Sequence, residues 1–397
     1  MILRFFIARR LSSGSRVVTA AIAVSFLVVI IAVAVSSGFR HEIRDGLSEM
    51  TGDVLLTRSD INYVDESSPV DVNQSYIPYV RDVEGVKSVE PVICRAGIVK
   101  HSEQIYGVLV KGVEGGVSSA GVSDVPDTLG LAVSVPSSLA ETAGLKVGDR
   151  MLTYFIGDKV KVRSFNIAGI HEPLVRTDDR FLVYADIDDM RRLNGWTLEQ
   201  TSMFEVVLED EYKDDVAMQT VTCEISDVIY QKASEDDEVL MAVSSVERYP
   251  QVFEWLALID FNVVFVLILM IAVAGVNMIT GLLIMLFENI STIGLLKSLG
   301  MRNLEIVNVF LTRAAGTILK GMLIGNVLAL AFCLVQGATH FIPLDPVNYF
   351  VSYVPVHIDW MSVLSADILA FVSIMLLLML PSLFVLRVDP ARTVKMD

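Results

Sequence analysis

The chain has 397 residues, 53% hydrophobic and 20% charged, with a formal net charge of −16. It is too apolar for an ordinary soluble protein and too charged for a bundle of spanning helices alone. The acidic balance speaks against a nucleic-acid ligand and against direct adhesion to anionic lipid.

Arg4, Arg9, Arg10 and Arg16 precede an uncharged run over residues 17–39. A spanning helix needs about 20 apolar residues, so this run predicts a first transmembrane helix. A signal peptide would have a shorter apolar core, about 7–15 residues, than this run of 23. Residues 40–50, RHEIRDGLSEM, read as a helix running on out of the membrane until Thr51-Gly52-Asp53 ends it. VLLTR then begins a strand.

Residues 75–101 read as a helix, a turn at Glu84-Gly85, and strands; EQIYGVLVKGVE continues in strand alternation. Residues 137–173 give a short helix stopped at Gly144, then short strands. DIDDMRRLNGW is a helix ended by Gly195, and residues 203–210 are another strand. Residues 211–254, with the acidic stretch SEDDEV, lead back to the membrane. Residues 40–257 thus form a mixed α+β domain, large enough for two subdomains. They hold 20 Lys/Arg against 39 Asp/Glu. Solubility and an acidic docking face both account for that excess.

Three more uncharged runs follow, at 261–287, 321–344 and 368–386. They predict transmembrane helices 2–4 at about 261–287, 314–340 and 363–386. The fold class is therefore a membrane protein with four transmembrane α-helices and a large α+β extracytoplasmic domain inserted between helices 1 and 2. Its parts are 1–39, 40–257 and 258–397. Lys297, Arg302 and Arg313 lie between spans 2 and 3, and Arg387, Arg392 and Lys395 follow span 4. Residues 341–360 contain neither Lys nor Arg. Basic residues mark the cytoplasmic face, so both termini and 289–313 are expected inside.

NISTIGLLKSLGMRNLEIVNVFLTR separates spans 2 and 3. Ile290, Ile293, Leu296 and Leu299 make one stripe, with Leu295 and Lys297 off it, and Gly300 sits where a left-handed residue would stop the helix. Asn303 is placed to cap the next helix, with Glu305 in its first turn. Leu304, Val307, Phe310, Leu311, Ala314 and Ile318 share a face leading into span 3. Two readings fit the short helix: a connector resting on lipid, or a coupling helix over 289–300 pressed on by a cytoplasmic partner.

Catalytic signatures are missing. There is no G-x-x-x-x-G-K-[ST], no G-x-S-x-G, and no Cys/His cluster with metal spacing. HEPLV at His171 lacks a second histidine, and Pro173 would break the helix such a motif needs. Neither a catalytic residue, a metal nor a cofactor is expected in this chain. Asp367 is the one acid near a membrane interior; such an acid is a candidate for function, but its place near the outer surface reads as a hydrated end position. Cys94 and Cys223 could pair in an oxidising compartment, or serve with Cys333 as small hydrophobes.

One span, a large outer domain, and three spans with ISTIGLLKSLGMRNLEIVNVFL after the second resemble the FtsX/MacB-type ABC transporter permeases. The segments FIARRLSSGS…SSGFRHEIRDGL, LKVGDRMLTYF…FNIAGIHEP, YFVSYVPVHIDW and VDPARTVK look most like the lipoprotein-releasing (LolC/LolE) branch. The resemblance implies a non-catalytic inner-membrane subunit, with ATP and Mg on a separate cytoplasmic ATPase dimer. It implies a second permease, identical or paralogous, lipoprotein cargo, and a periplasmic carrier. Carried over by position, Gly294, Leu295, Lys297, Leu299 and Gly300 become the coupling helix. Relatives place an Arg-Glu pair before Ile-Gly; here Ser291-Thr292 stand there, and Glu288 is the nearby acid.

In that branch a hairpin ahead of FNIAGI grips the carrier. Here Phe155, Ile156 and Gly157 would form its tip, exposed; a two-residue Gly-Asp turn is the alternative. Extracting acyl chains costs about 0.8 kcal/mol per CH₂, which calls for a lipid-sized apolar cavity. Val28, Ile31, Val35, Phe261, Val264 and Phe265 are its expected wall, against the plainer reading of lipid-facing surface. Two other functions compete: a division-type permease activating a cell-wall hydrolase, and a MacB-like mechanical exporter.

Overall fold

The structure is a computed structural model and describes residues 16–58, 69–101, 104–117, 131–157, 160–172 and 181–382. The basic arm before Arg16, Ser68, Asp158, Pro173, and the tail with Arg387, Arg392 and Lys395 lie outside these residues. The chain divides into two compact units, Met1–His41 with Trp255–Leu344 and Ser352–Asp397, and Glu42–Glu254 with Asp345–Val351.

Among the described residues, four helices are long and apolar enough to cross a membrane. They are α1 (Arg16–Thr51) and, further along the chain, α7 (Pro250–Glu288), α9 (Asn303–Thr339) and α11 (Trp360–Ser382). At about 1.5 Å per residue, the 36 residues of α1 exceed the thickness of a hydrocarbon core. The expected helix over 40–50 is its continuation.

One hydrophobic cluster joins Ile22 and Phe26 of α1, Met278, Leu282 and Met285 of α7, Phe310 and Ile318 of α9, and Ile374 and Leu378 of α11. A second cluster unites Ile30, Ala329 and Val363, with Leu27, Ile31 and Ile358 against it. It draws on α1, α9, α11 and the segment before α11, and has no member from α7. Two glycines explain how α1 and α9 approach. A Cβ on Gly321 would lie 2.6 Å from Ile22 Cγ2, and one on Gly325 2.5 Å from the Ala23 carbonyl oxygen. Gly321-x-x-x-Gly325 is thus a small-residue contact stripe. The segment before α11 is held in the same way: Gly38 lies against Pro355 with no room for a Cβ, and the His357 amide donates to the Ala34 carbonyl at 3.1 Å.

The other unit contains β1 (Val54–Thr57), β2 (Val70–Asp71), α2 (Ile77–Arg81), β3 (Val86–His101), β4 (Gln104–Val113), β5 (Ala132–Pro136) and α3 (Ser137–Ala143). It continues with β6 (Arg150–Phe155), β7 (Lys161–His171), β8 (Phe181–Asp186), α4 (Ile187–Asn194), β9 (Gln200–Thr201) and β10 (Met203–Leu208). Then come α5 (Asp215–Lys232), β11 (Met241–Ser244) and α6 (Ser245–Arg248). Helix α5 and strand β11 fall in a stretch for which no element was expected.

Among the described residues, nine strands run in the order β11-β1-β10-β3-β4-β8-β5-β7-β6, and β6 pairs back onto β3. The last six therefore close into a ring, with parallel pairs at β4–β8 and β5–β7. Val99, Val110, Val133, Phe155, Phe165 and Val183 fill it. The remaining strands pack Val54, Leu56, Phe204 and Val206 against Val221, Ile225 and Ile229 of α5. Strand β3, 16 residues long, serves both parts: its first half pairs with β10 and its second half with β4. Two hydrophobic cores thus share one continuous sheet.

The end of α1 is tied to this sheet by a buried charge pair. Lys111 on β4 donates to Glu205 on β10 at 2.7 Å and to the carbonyls of Glu49 and Met50 at 3.3 and 3.0 Å. A cation at the carbonyl end of a helix is favoured by the peptide dipoles. Gly52, with φ of +69°, turns the chain into β1.

Candidate functional site

Helix α8 (Ile290–Ser298) begins after α7 and is stopped by a Schellman turn. The Met301 amide donates to the Leu296 carbonyl and the Gly300 amide to the Lys297 carbonyl, both at 3.0 Å. Gly300 takes φ of +88°, a conformation that suits glycine. Met301 and Leu296 pack against the cluster that joins all four long helices, as the apolar contact of such a turn does.

Ile293 and Gly294 are the buried residues of α8, and Ile293 belongs to that four-helix cluster. The opposite side is open: Leu295 is 56% exposed and Leu299 76%. Glu288 is exposed at the end of α7, and Lys297 is half-buried. Gly294 is buried, unlike Leu295 and Leu299.

Three expectations here need correction. Leu299 is not on the inner stripe; it follows the last helical turn, where the chain has already swung outward. Leu304 is likewise exposed, while Val307, Phe310, Ala314 and Ile318 are buried as the spacing implied. The cap of α9 is Arg302 rather than Asn303, and Glu305 accepts the Arg302 amide at 3.3 Å.

At the far end of the same unit, Asp260 of α7 accepts from Ser36 Oγ at 2.6 Å and from the Arg40 guanidinium. Phe39 and Trp255 meet edge to face with centroids 5.5 Å apart. The six expected wall residues divide between α1 and α7. Val28, Ile31 and Val35 are half-buried, and Ile31 packs with the α9–α11 cluster. Phe261, Val264 and Phe265 are exposed, as are Ile268, Leu269 and Val273 beyond them. The outer half of α7 therefore presents an apolar surface that this chain leaves uncovered.

The hairpin tip differs from the expectation. Phe155 is fully buried inside the strand ring, edge to face with Phe165 at 6.1 Å and under the Arg95 guanidinium. The pleat of β6 decides this: Met151, Thr153 and Phe155 point inward and Leu152 outward. Phe155 pairs with Lys161, so the connection spans residues 156–160 and is not a two-residue turn. Ile156, 66% exposed, remains outside with Val160, Val162 and Leu152; Gly157 is half-buried.

Asp367 is also displaced from its expected setting. It is 7% exposed and receives Asn326 Nδ2 at 2.5 Å, between α9 and α11 rather than hydrated at a helix end. Nothing in the sequence pairs these two residues, because 41 positions separate them. Gly321-x-x-x-Gly325, by contrast, was open to reading as a helix-contact motif in an apolar run.

Among the described residues no group of three or more His, Cys, Asp or Glu could hold a metal ion. Ser134 Oγ lies 2.8 Å from His171 Nδ1, but Ser134 is fully buried and out of a substrate's reach. Burial, opposed by Glu172, lowers the His171 pKa from 6.5 to about 4, so the ring is neutral and structural. Cys94 is buried and Cys223 exposed, and neither is bonded.

Residues 264–390 match the family model described as FtsX-like permease C-terminal. The chain is 21% identical over 368 residues to the lipoprotein-releasing system transmembrane protein LolC of Neisseria meningitidis serogroup B, covering 86% of this chain and 84% of that one. It is 21% identical over 406 aligned positions to the LolC protein of Xylella fastidiosa, covering 95% and 92%. Two solved structures are weaker likenesses. The extracellular domain of the transporter YknZ from Gram-positive bacteria aligns with 48% of this chain and 98% of its own, at 13% identity and a TM-score of 0.29. The periplasmic region of MacB from Actinobacillus actinomycetemcomitans aligns with 52% and 95%, at 13% identity and a TM-score of 0.31.

Proposed function

The chain is an ABC transporter permease of the FtsX/MacB type, similar over most of its length to LolC proteins, and from that premise we propose that it extracts lipoproteins from the inner membrane. It is a multi-pass membrane subunit, and a permease of this kind works with an ATPase. In our reading, ATP and Mg reside on that separate cytoplasmic chain, and a second permease, identical or paralogous, completes the membrane part.

The observation that carries the proposal is the two-sided character of α8. Ile293 anchors it in the core shared by all four long helices, while Leu295 and Leu299 stand open. A push on the open side is passed as rigid-body motion to the helices packed on the other, because packed cores do not deform continuously. Glu288 and Lys297 supply charge at the rim of this contact, and Gly300 sets the angle at which α9 departs. Thr292 stands where relatives carry an acid, so the contact is mainly apolar.

The uncovered outer half of α7, with Phe261, Val264 and Phe265, and the half-buried Val28, Ile31 and Val35 of α1 are the residues we assign to a wall for acyl chains. Removing a multi-acylated anchor from hydrocarbon at about 0.8 kcal/mol per CH₂ lies far beyond thermal reach, which accounts for the ATPase. Ile156, with Val160 and Val162, is the surface we assign to a periplasmic carrier; Phe155 takes no part. The decisive experiment is to purify the full chain with its native partners from detergent and identify what accompanies it. Lipoprotein and an ATPase support this reading. A cell-wall hydrolase, or an adaptor with an outer-membrane channel, would replace it with one of the two competing functions.

A further inference from the structure

Asp367 and Asn326 form a polar pair inside the membrane bundle. Asn326 Nδ2 donates to Asp367 Oδ2 at 2.5 Å. The other oxygen of each side chain, Asp367 Oδ1 and Asn326 Oδ1, is buried and has no hydrogen-bond partner among the described residues. A carboxamide oxygen only accepts, and so does every oxygen of an ionised carboxylate. An ionised Asp367 would therefore leave two buried acceptors without a donor, each costly once buried. No cation among the described residues forms an ion pair with it. A carboxylic acid, by contrast, brings one O–H donor. A single hydrogen on Asp367 Oδ1, directed at Asn326 Oδ1, supplies both orphaned atoms together. Joined with the N–H bond already present, it closes a two-bond acid–amide ring.

We propose that this pair is a clasp that binds one proton within the membrane, holding Asp367 as the neutral acid and locking α9 to α11. A ring of two directional bonds fixes rotation as well as distance. A slip of one residue turns a helix by about 100° and separates the partners. Small residues flank the clasp and let the helices close around it: Ala366 and Ala370 on α11 are buried, and Gly325, next to Asn326, lies against Ala23 and Phe26 of α1. The clasp and the glycine stripe together make α1, α9 and α11 one body.

The test uses the full-length chain reconstituted in lipid. Infrared spectra at neutral pH should contain the carbonyl stretch of an un-ionised carboxylic acid. It should shift when aspartate is labelled with ¹³C at its carboxyl and vanish in Asp367→Asn. Because two amides can form the same ring, Asp367→Asn should unfold at the parent temperature, whereas Asp367→Ala and Asn326→Leu should unfold several degrees lower. Absence of the acid band in the labelled parent protein overturns the proposal without recourse to any variant. So does an Asp367→Asn protein as unstable as Asp367→Ala, since that would mean the charge itself is required.

Discussion

At the scale of single residues, burial separates neighbours that look alike in sequence. Phe155 and Ile156 are adjacent and both large, yet one fills the strand ring and the other stands outside it. Phe155→Ser should cost the outer unit at least the ~3–5 kcal/mol typical of emptying a buried phenylalanine site. Ile156→Ser should stay within about 0.5 kcal/mol, as surface changes do. Thermal unfolding of the full-length protein measures both. Equal losses would mean that the outward pleat of Ile156 is wrong. His171 offers a second test. Its folded pKa of about 4 lies below the ordinary 6.5, so the unfolded chain binds the extra proton. Stability tied to the neutral ring is complete above about 6.5 and is lost as pH falls toward 4. Replacing His171 with Asn should flatten the stability–pH slope across that window by up to one proton; an unchanged slope would assign the dependence elsewhere.

At the scale of elements, α8 is the piece whose two faces have different work. Leu295→Asp adds a charge to an exposed site, so folding and insertion should be unaffected, while an apolar contact with an ATPase would have to bury an unpaired carboxylate at several kcal/mol. Gly300→Pro removes the amide that reaches the Lys297 carbonyl and forbids the φ of +88°. The expected result is loss of cargo-stimulated ATP hydrolysis in both variants with basal hydrolysis retained. Unchanged stimulation would reduce α8 to a connector. Its stop was legible, because glycine at that position follows from local backbone geometry. Its inner stripe was legible only up to Leu296, since beyond the last turn helical spacing no longer governs direction. The 156–160 connection misled for a related reason: a Gly-Asp pair resembles a tight turn, and strand pairing that continues to Lys161 sets the real length.

At the scale of the whole molecule, the native cysteines provide a topology test. Cys223 is exposed on α5, whereas Cys94 and Cys333 are buried. With the inserted domain outside and α8 inside, an impermeant thiol reagent on intact cells should label Cys223. A cysteine placed at the exposed Ser298 in a Cys223→Ser background should react only after lysis. Labelling of Ser298→Cys in intact cells would reverse the orientation. The same experiment tests the charge asymmetry between residues 289–313 and 341–360, on which the orientation rests.

What the sequence determined by itself was whatever depends on the chain's nearest neighbours along it. Uncharged runs of spanning length, turn glycines at 85, 144, 195 and 300, and the continuation of α1 past the membrane are properties of consecutive residues. So was the acidic excess of residues 40–257, which composition alone reveals. Only the tertiary structure decided what depends on distant partners. The closure of β6 onto β3 turned Phe155 inward, Lys111 and Glu205 joined two strands and a helix end, and Asn326 met Asp367 across 41 positions. Local patterning sets which face of an element is apolar. It does not set which other element covers that face, because that choice is made by long-range packing and by the need to give every buried polar group a partner.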